Sequence, residues 1–461
     1  MAPFVELEWG AEAMEIMQEI KRIFDPLDIL NPGVILNPDP AVHLKNLKPL
    51  PIAHPVIDTC IECGFCEVHC PSRDLTLTPR QRIVAYREIA RLEAAGERNG
   101  PAGRLRAAFR YAGEQTCATD GLCATACPVG IDTGSLVKSI RASEQGRLAR
   151  TIASLIASNM GPTTAMVRLA LRGASIAHRL LGTERMEKIA GAAHRISGKR
   201  IPLWNRAMPL ASGRLRRAAS VAPEAHQTPV VVYFPTCITR TMGSADAGRP
   251  SLPNLTVGLL ERAGYEVVIP EHVGRLCCGM AFASKGFTEE GKRKGLELRQ
   301  ALLRASDGGR LPILMDMSPC LYRMRSEFGD GLKLYDQSRF AIEYLAPRLN
   351  LRPLPGTVAI HATCSARKLG LAGDLEELAA RCSERVVAPS DIECCGWAGD
   401  RGFSFPELNE SALHGLRGRL PDACRSGYST SRTCEIGLTL HGGVPYEGIL
   451  YLVDEASRAS E

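Results

Sequence analysis

The chain has 461 residues, 45% of them hydrophobic and 23% charged, with a formal net charge of +6 and a mean hydropathy close to zero. This is globular material, long enough for several domains with cores of their own. Its charge is dispersed and only 5% of its residues are aromatic, so it lacks the basic runs and stacking platforms that nucleic-acid binding uses, and no nucleic-acid partner is expected.

The opening MAPFVELEWG has neither the basic nor the apolar region of a secretory leader. The chain is therefore expected in the cytoplasm, with at most a peripheral place at the inner face of a membrane. Residues 1–50 read as the tail of another domain. AEAMEIMQEIKRIF puts Met17, Ile20 and Phe24 at helical spacing and stops at Asp25-Pro26. One amphipathic helix and a Pro-rich loop cannot enclose a core, so this piece must dock on another domain or chain. Residues 51–145 carry two cysteine motifs joined by helices. Thr78 is an N-cap, Pro79 takes N1, Gln81 completes a capping box and Gly96 marks the stop. Residues 146–227 read as a basic helical linker. Its most apolar stretch, 150–173, is cut by Gly161-Pro162 and carries arginines, so it reads as a buried or surface-lying hairpin and not a bilayer span.

From 228 onward short apolar runs alternate with helical stretches: PVVVYF (229–234), YEVVIP (265–270), LPILMD (311–316), TVAIH (357–361) and RVVAP (385–389). Continuously apolar strands predict parallel sheets covered on both faces. This half repeats itself. Cys237, Cys277-Cys278-Gly279 and Cys320 recur as Cys364, Cys394-Cys395-Gly396 and Cys434, each set opening just past a strand, which divides the half into lobes at 228–350 and 351–461. The fold class is α+β and α/β: a helical two-cluster ferredoxin-like domain followed by two homologous α/β lobes with parallel sheets.

Seventeen cysteines without an export signal point to metal or redox chemistry instead of disulfides. CIECGFCEVHCP gives Cys60, Cys63, Cys66 and Cys70-Pro71, the Cys-x2-Cys-x2-Cys-x3-Cys-Pro run of bacterial ferredoxins. Three thiolates two residues apart wrap one [4Fe–4S] cubane, and the fourth, at a proline-fixed departure, crosses to a second cluster. A zinc site also uses Cys-x2-Cys, though not this run of four. TCATDGLCATACP supplies the counterpart in Cys117, Cys123 and Cys127, with Asp120 at the second ligand position. The assignment is cluster A on Cys60, Cys63, Cys66 and Cys127, and cluster B on Cys70, Cys117, Cys123 and the Asp120 corner. Cluster B is then a [4Fe–4S] cluster with one oxygen ligand or a [3Fe–4S] cluster, or else Asp120 only begins the turn. The Cys-Cys-Gly lobes hold a further cluster or buried, inert thiols. Cys382 and Cys424 fall outside the motifs and read as core. His69, His272 and His361 lie near cysteines and read as structural, with His69 able to tune a cluster by hydrogen bonding. No Gly-x-Gly-x-x-Gly, P-loop or nucleophile elbow is present, and no residue is assigned a catalytic role.

The lobes resemble the cysteine-rich CCG domains of heterodisulfide reductase subunits, except that the further cysteine of that pattern is Arg323 in one lobe and Gly437 in the other. With FDPLDILNPGVIL and the two ferredoxin-type motifs, nearly the whole chain resembles the C-terminal half of FAD- and iron–sulfur-containing D-lactate dehydrogenases, the FAD-linked oxidase type 4 class. That resemblance implies oxidation of a D-2-hydroxyacid at FAD and single-electron passage through iron–sulfur clusters to a cytochrome or quinone. It also implies that FAD, the catalytic base and the substrate arginines lie on a missing domain or a partner subunit. Two alternatives stand beside it: the iron–sulfur subunit of a glycolate oxidase or anaerobic glycerol-3-phosphate dehydrogenase, and a zinc-stapled interaction scaffold.

Overall fold

A computed structural model describes residues 2–46, 50–216 and 228–458; the last part of the expected 146–227 linker, 217–227, lies outside them. The chain forms two compact units, Met1–Ile52 and Ala53–Glu461.

The first unit consists of helices α1 (Val5–Trp9) and α2 (Ala11–Phe24) followed by a loop. Helix α2 stops at Asp25, as expected, and the Asp25 carboxylate accepts hydrogen bonds from the Ile29 and Leu30 amides, both at 2.9 Å. No residue of α2 is buried, and Ile16, Ile20, Ile23 and Phe24 are exposed.

The second unit begins with two cysteine loops held by α3 (Pro79–Ala94), α4 (Pro101–Phe109) and α5 (Thr133–Glu144). The capping box forms as the sequence predicts: the Gln81 amide donates to Thr78 Oγ1 and Thr78 N–H to Gln81 Oε1. Thr78 Oγ1 also donates to Glu67 at 2.6 Å, which ties the start of α3 to the loop carrying Cys60 to Cys70. Next come α6 (Arg147–Ser158), α7 (Met160–Leu181) and α8 (Thr183–Ile196). The hairpin breaks at Asn159 and not at Gly161-Pro162, because Pro162 sits in the first turn of α7, where a helix has no use for its amide. The pair lies on the surface: Leu148, Leu155, Met166, Leu169 and Leu180 are exposed, while Ala153, Ala157 and Met160 face inward.

Two lobes of one design follow. The first runs β1 (Val230–Phe234), α9 (Leu252–Arg262), β2 (Glu266–Val268), α10 (Met280–Ala283), α11 (Thr288–Ala305), β3 (Pro312–Met315), α12 (Ser318–Glu327), β4 (Lys333–Tyr335) and α13 (Gln337–Phe340). The second runs β5 (Leu354–His361), α14 (Cys364–Lys368), α15 (Ala372–Cys382), β6 (Ser383–Val387), α16 (Pro406–Ala412), α17 (Leu416–Arg419), β7 (Cys424–Ser429), α18 (Arg432–Gly442), β8 (Tyr446–Gly448) and α19 (Ile449–Arg458). Their four-stranded sheets are ordered β2-β1-β3-β4 and β6-β5-β7-β8, with every pairing parallel. The matching order bears out the repeat seen in the cysteines. Strands β4, β7 and β8 went unread because KLY and YEG are too short and CRSGYS too polar to signal a strand. One apolar core runs through both lobes, joining Val231 and Leu314 to Leu375 and Leu452. Cys382 and Cys424 are buried core residues, as expected.

Candidate iron–sulfur sites

In the order β2-β1-β3-β4 the chain after β1 runs to β2 on one side and the chain after β3 runs to β4 on the other, and a parallel sheet offers a crevice at the carboxyl ends of its strands where that happens. The motif cysteines of each lobe collect there. Cys237 and Cys364 follow β1 and β5, the Cys-Cys-Gly turns follow β2 and β6, and Cys320 and Cys434 lie on α12 and α18 just after β3 and β7. Cys237 Sγ stands 3.7 Å from Cys277 Sγ, and Cys278 meets Cys320. The second lobe repeats the scheme with Cys364 against Cys394 and Cys395 against Cys434. Gly279 N–H donates to Cys277 Sγ at 3.3 Å and Gly396 N–H to Cys394 Sγ at 3.5 Å. Both glycines have left-handed backbones (φ +81° and +67°), and an added Cβ would strike Gly291 O at 2.1 Å or Leu408 O at 2.5 Å. Only glycine lets these turns lie flat against the neighbouring helix.

The ferredoxin-like region brings its cysteines together in two places. Cys60, Cys63, Cys66 and Cys127, the four assigned to cluster A, line one small cavity with Ile61, Pro79, Ile83, Val129 and Ile131. Burial pushes the Cys66 thiol up to about 11. Cys70, Cys117 and Cys123 are buried around the guanidinium of Arg82, itself 1% exposed. Arg82 donates from Nη1 to Cys70 Sγ at 3.4 Å, from Nη2 to Ser72 Oγ at 2.6 Å and from Nε to Gly113 O at 2.8 Å. Burial alone would weaken its hold on the proton, but Cys117, Cys70 and Cys123 outweigh burial and raise it. Burial likewise pushes Cys123 up to about 12. Among the described residues no carboxylate pairs with Arg82.

A buried cation without a carboxylate is costly unless anions surround it, and three thiolates on an iron–sulfur core are such anions. The donor chemistry thus fits the cofactor: all-thiolate sets, apolar walls, amide and guanidinium donors to sulfur. Among the described residues no three His, Cys, Asp or Glu side chains converge on one point as ligands of a single ion do; cluster thiolates bond separate irons and need no such point.

Arg82 and Arg87 are buried beside the cysteine loops, a placement that the motifs alone do not reveal. Arg87, also buried, donates from Nη2 to the carbonyls of Ile57, Asp58 and Cys60 and shapes the first cysteine loop. The available signal was two arginines five apart on the face of α3 that also carries Ile83 and Ile89. His69 does not hydrogen-bond a cysteine; its Nδ1 pairs with Glu393 Oε2 at 2.6 Å, beside Cys394. His361 is buried with Nε2 unpartnered, and burial lowers its pKa to about 3. His272 is exposed in a left-handed turn. Asp120 faces the second lobe: its carboxyl lies beside the Cys394 thiol and the Lys368 ammonium.

Comparison with known proteins accords with these sites. A 4Fe-4S dicluster domain family matches residues 56–131, the C-terminal domain of FAD linked oxidases matches 1–35, and a cysteine-rich domain matches 231–325. An anaerobic glycerol-3-phosphate dehydrogenase subunit of Escherichia coli (strain K12) is 27% identical over 138 residues, 28% of this chain and 35% of that protein. Lactate utilization protein A 1 of Bacillus mycoides is 24% identical over 196 residues, 40% of this chain and 77% of that protein. Lactate utilization protein A of Bacillus pumilus is 23% identical over 202 residues, 40% and 79% of the two chains. The chain thus spans about a third of the length of the glycerol-3-phosphate dehydrogenase subunit it matches. Together the matches fit an iron–sulfur portion of the FAD-linked oxidase type, an oxidoreductase-related chain with a dicluster domain and α/β cysteine-rich lobes.

Proposed function

We propose that this chain is the electron-transfer portion of an FAD-dependent D-lactate or other D-2-hydroxyacid dehydrogenase. Cys60, Cys63, Cys66 and Cys127 would hold one [4Fe–4S] cluster, Cys70, Cys117 and Cys123 a second, and the Cys-Cys-Gly sets of the lobes further iron. Bound clusters supply one-electron steps that split the two-electron output of a flavin. The chain's own residues fix where charge sits. The observation that carries the reading is Arg82, a buried cation whose counter-charges are three cysteine sulfurs. The uncovered apolar side of α2, within the stretch that matches FAD linked oxidases, supports a flavoprotein domain or subunit as the electron donor.

The acceptor is a quinone or cytochrome at the inner face of a membrane. No described helix is long and apolar enough to cross one. Support comes from α6 and α7: residues 146–183 contain Arg147, Arg150, Arg168, Arg172 and Arg179 and no acidic residue, beside an exposed apolar stripe of Leu148, Ile152 and Leu155. Basic amphipathic helices of this kind lie in the interface of anionic bilayers. The similarity to an anaerobic glycerol-3-phosphate dehydrogenase subunit favours a second reading, in which the donor flavoprotein oxidises glycerol 3-phosphate. The test is anaerobic purification with the flavoprotein partner, followed by EPR after adding D-lactate, glycolate or glycerol 3-phosphate. Cluster reduction by D-lactate alone supports the first reading and by glycerol 3-phosphate alone the second. Colourless protein with stoichiometric zinc overturns both.

A further inference from the structure

We propose that Asp120 serves the second lobe and not the loop that carries it: its carboxylate is a fifth donor, from outside the lobe, to the Cys364, Cys394, Cys395 and Cys434 set. The proposal rests on the reading that this lobe binds an iron–sulfur cluster. Asp120 lies between two residues with left-handed backbones, Thr119 (φ +50°) and Gly121 (φ +73°), in a turn pressed against α14. A Cβ on Gly121 would come within 3.0 Å of Lys368 Nζ, on the same short helix as Cys364. Asp120 Oδ1 accepts the Leu122 amide at 3.1 Å, whereas Oδ2 is buried with no hydrogen-bond partner. Ala118 and Leu122, on either side of Asp120 in sequence, pack with Leu408, Leu75 and Ala398 against Cys394 and Cys364 in one apolar cluster, and a buried carboxylate oxygen beside it needs something to bind. The carboxyl lies beside the Cys394 thiol and the Lys368 ammonium, which places it at the edge of the second lobe's cysteine set.

The position of the further cysteine in the CCG pattern has no room for a donor side chain in this lobe. A side chain at Gly437, one turn along α18 from Cys434, would run into Asn409 Nδ2 at 2.4 Å and Trp397 at 2.9 Å. The first lobe makes the contrast. Its Cys237 and Cys277 are covered by Ala153, Ala157, Met160, Phe282 and Phe287. The carboxylate nearest its cysteines among the described residues, Asp316, is already engaged by Tyr233 and Thr239 hydroxyls at 2.7 Å and the Thr236 amide at 3.0 Å. The two lobes therefore differ in donor set, four sulfurs in the first against four sulfurs and an oxygen in the second. An oxygen donor is harder than thiolate and leaves the iron it binds more exchangeable.

The experiment uses the full chain, reconstituted anaerobically with 57Fe and sulfide and read by iron content, Mössbauer spectra and EPR. The double variant C394S/C395S identifies the second lobe's component as the signal it removes; unchanged iron content would overturn the underlying cluster reading. In D120A, and in D120N, which keeps the side chain's size, that same component should be shifted or lost and should give up its iron to a chelator at least about tenfold faster. The signals of the ferredoxin-type clusters should stay as in the parent chain. If D120N leaves the lobe component untouched, or alters a ferredoxin-type signal instead, the assignment is wrong.

Discussion

Replacing Arg82 with methionine tests the electrostatic core of the proposal. The guanidinium stands 3.4 Å from Cys70 Sγ, and at an effective dielectric constant of about 20 a unit charge at that distance is worth about 5 kcal/mol. An electron added to a cluster beyond that sulfur is spread out roughly twice as far away, which leaves about 2 kcal/mol. At about 2.3 kcal/mol per 100 mV, Arg82→Met should lower the potential of the cluster held by Cys70, Cys117 and Cys123 by on the order of 100 mV. Arg82→Lys keeps the charge but loses the forked contact to Ser72 and Gly113, so it should recover most of that shift. The assay is an EPR-monitored redox titration of anaerobic protein, with iron content confirming that both variants are loaded. A loaded Arg82→Met protein whose potentials match the parent would refute the reasoning, since a buried cation in contact with a cluster ligand cannot be without effect on reduction.

The Cys-Cys-Gly turn gives a second test. Gly396 and Gly399 are both left-handed (φ +67° and +74°), but a Cβ meets Leu408 O at 2.5 Å at the first and nothing within 4 Å at the second. Gly399→Ala should therefore cost only about 1 kcal/mol, and Gly396→Ala about 3 kcal/mol with loss of iron from that lobe, as read by denaturation midpoint and iron analysis. Burial pushes the Glu114 carboxyl up to about 7, against the pull of Arg141, Arg110 and Arg106. The native chain then binds a proton between pH 4.5 and 7 that the unfolded chain has released, so this residue's contribution to stability falls as pH rises through that window. Glu114→Gln should be close to neutral at about pH 4 and stabilising by about 3 kcal/mol at about pH 8; an equal effect at both pH values would contradict this account. Finally, changing Leu148, Ile152 and Leu155 together to glutamine removes about 4 kcal/mol of apolar insertion, at the low end for each side chain. Flotation with phosphatidylserine-containing vesicles should drop by orders of magnitude while iron content stays constant.

Local patterns carried much of this protein. The Cys60 to Cys70 run declares itself because three cysteines two residues apart sit in one loop. The capping box at Thr78 and the stop at Asp25 follow from a few neighbouring residues. Strands β1, β3 and the second half of β5 are legible as continuous apolar runs because parallel strands are covered on both faces, whereas β2 and β6, at the sheet edges, show only their Val-Val pairs. The doubled order of cysteines was enough to announce two lobes of one topology.

What the chain order could not reveal was which groups face each other across long separations. Arg82 looks like any polar residue on an amphipathic helix; its burial depends on sulfurs from three other points of the chain enclosing it. Asp120 was read from spacing as a corner of its own loop, yet left-handed residues on either side turn its carboxyl toward Cys394, more than 270 positions away. Spacing fixes which thiols share a loop, since bond lengths are local. The partner of a buried charge is set by packing between loops, and only the folded lobes decide that.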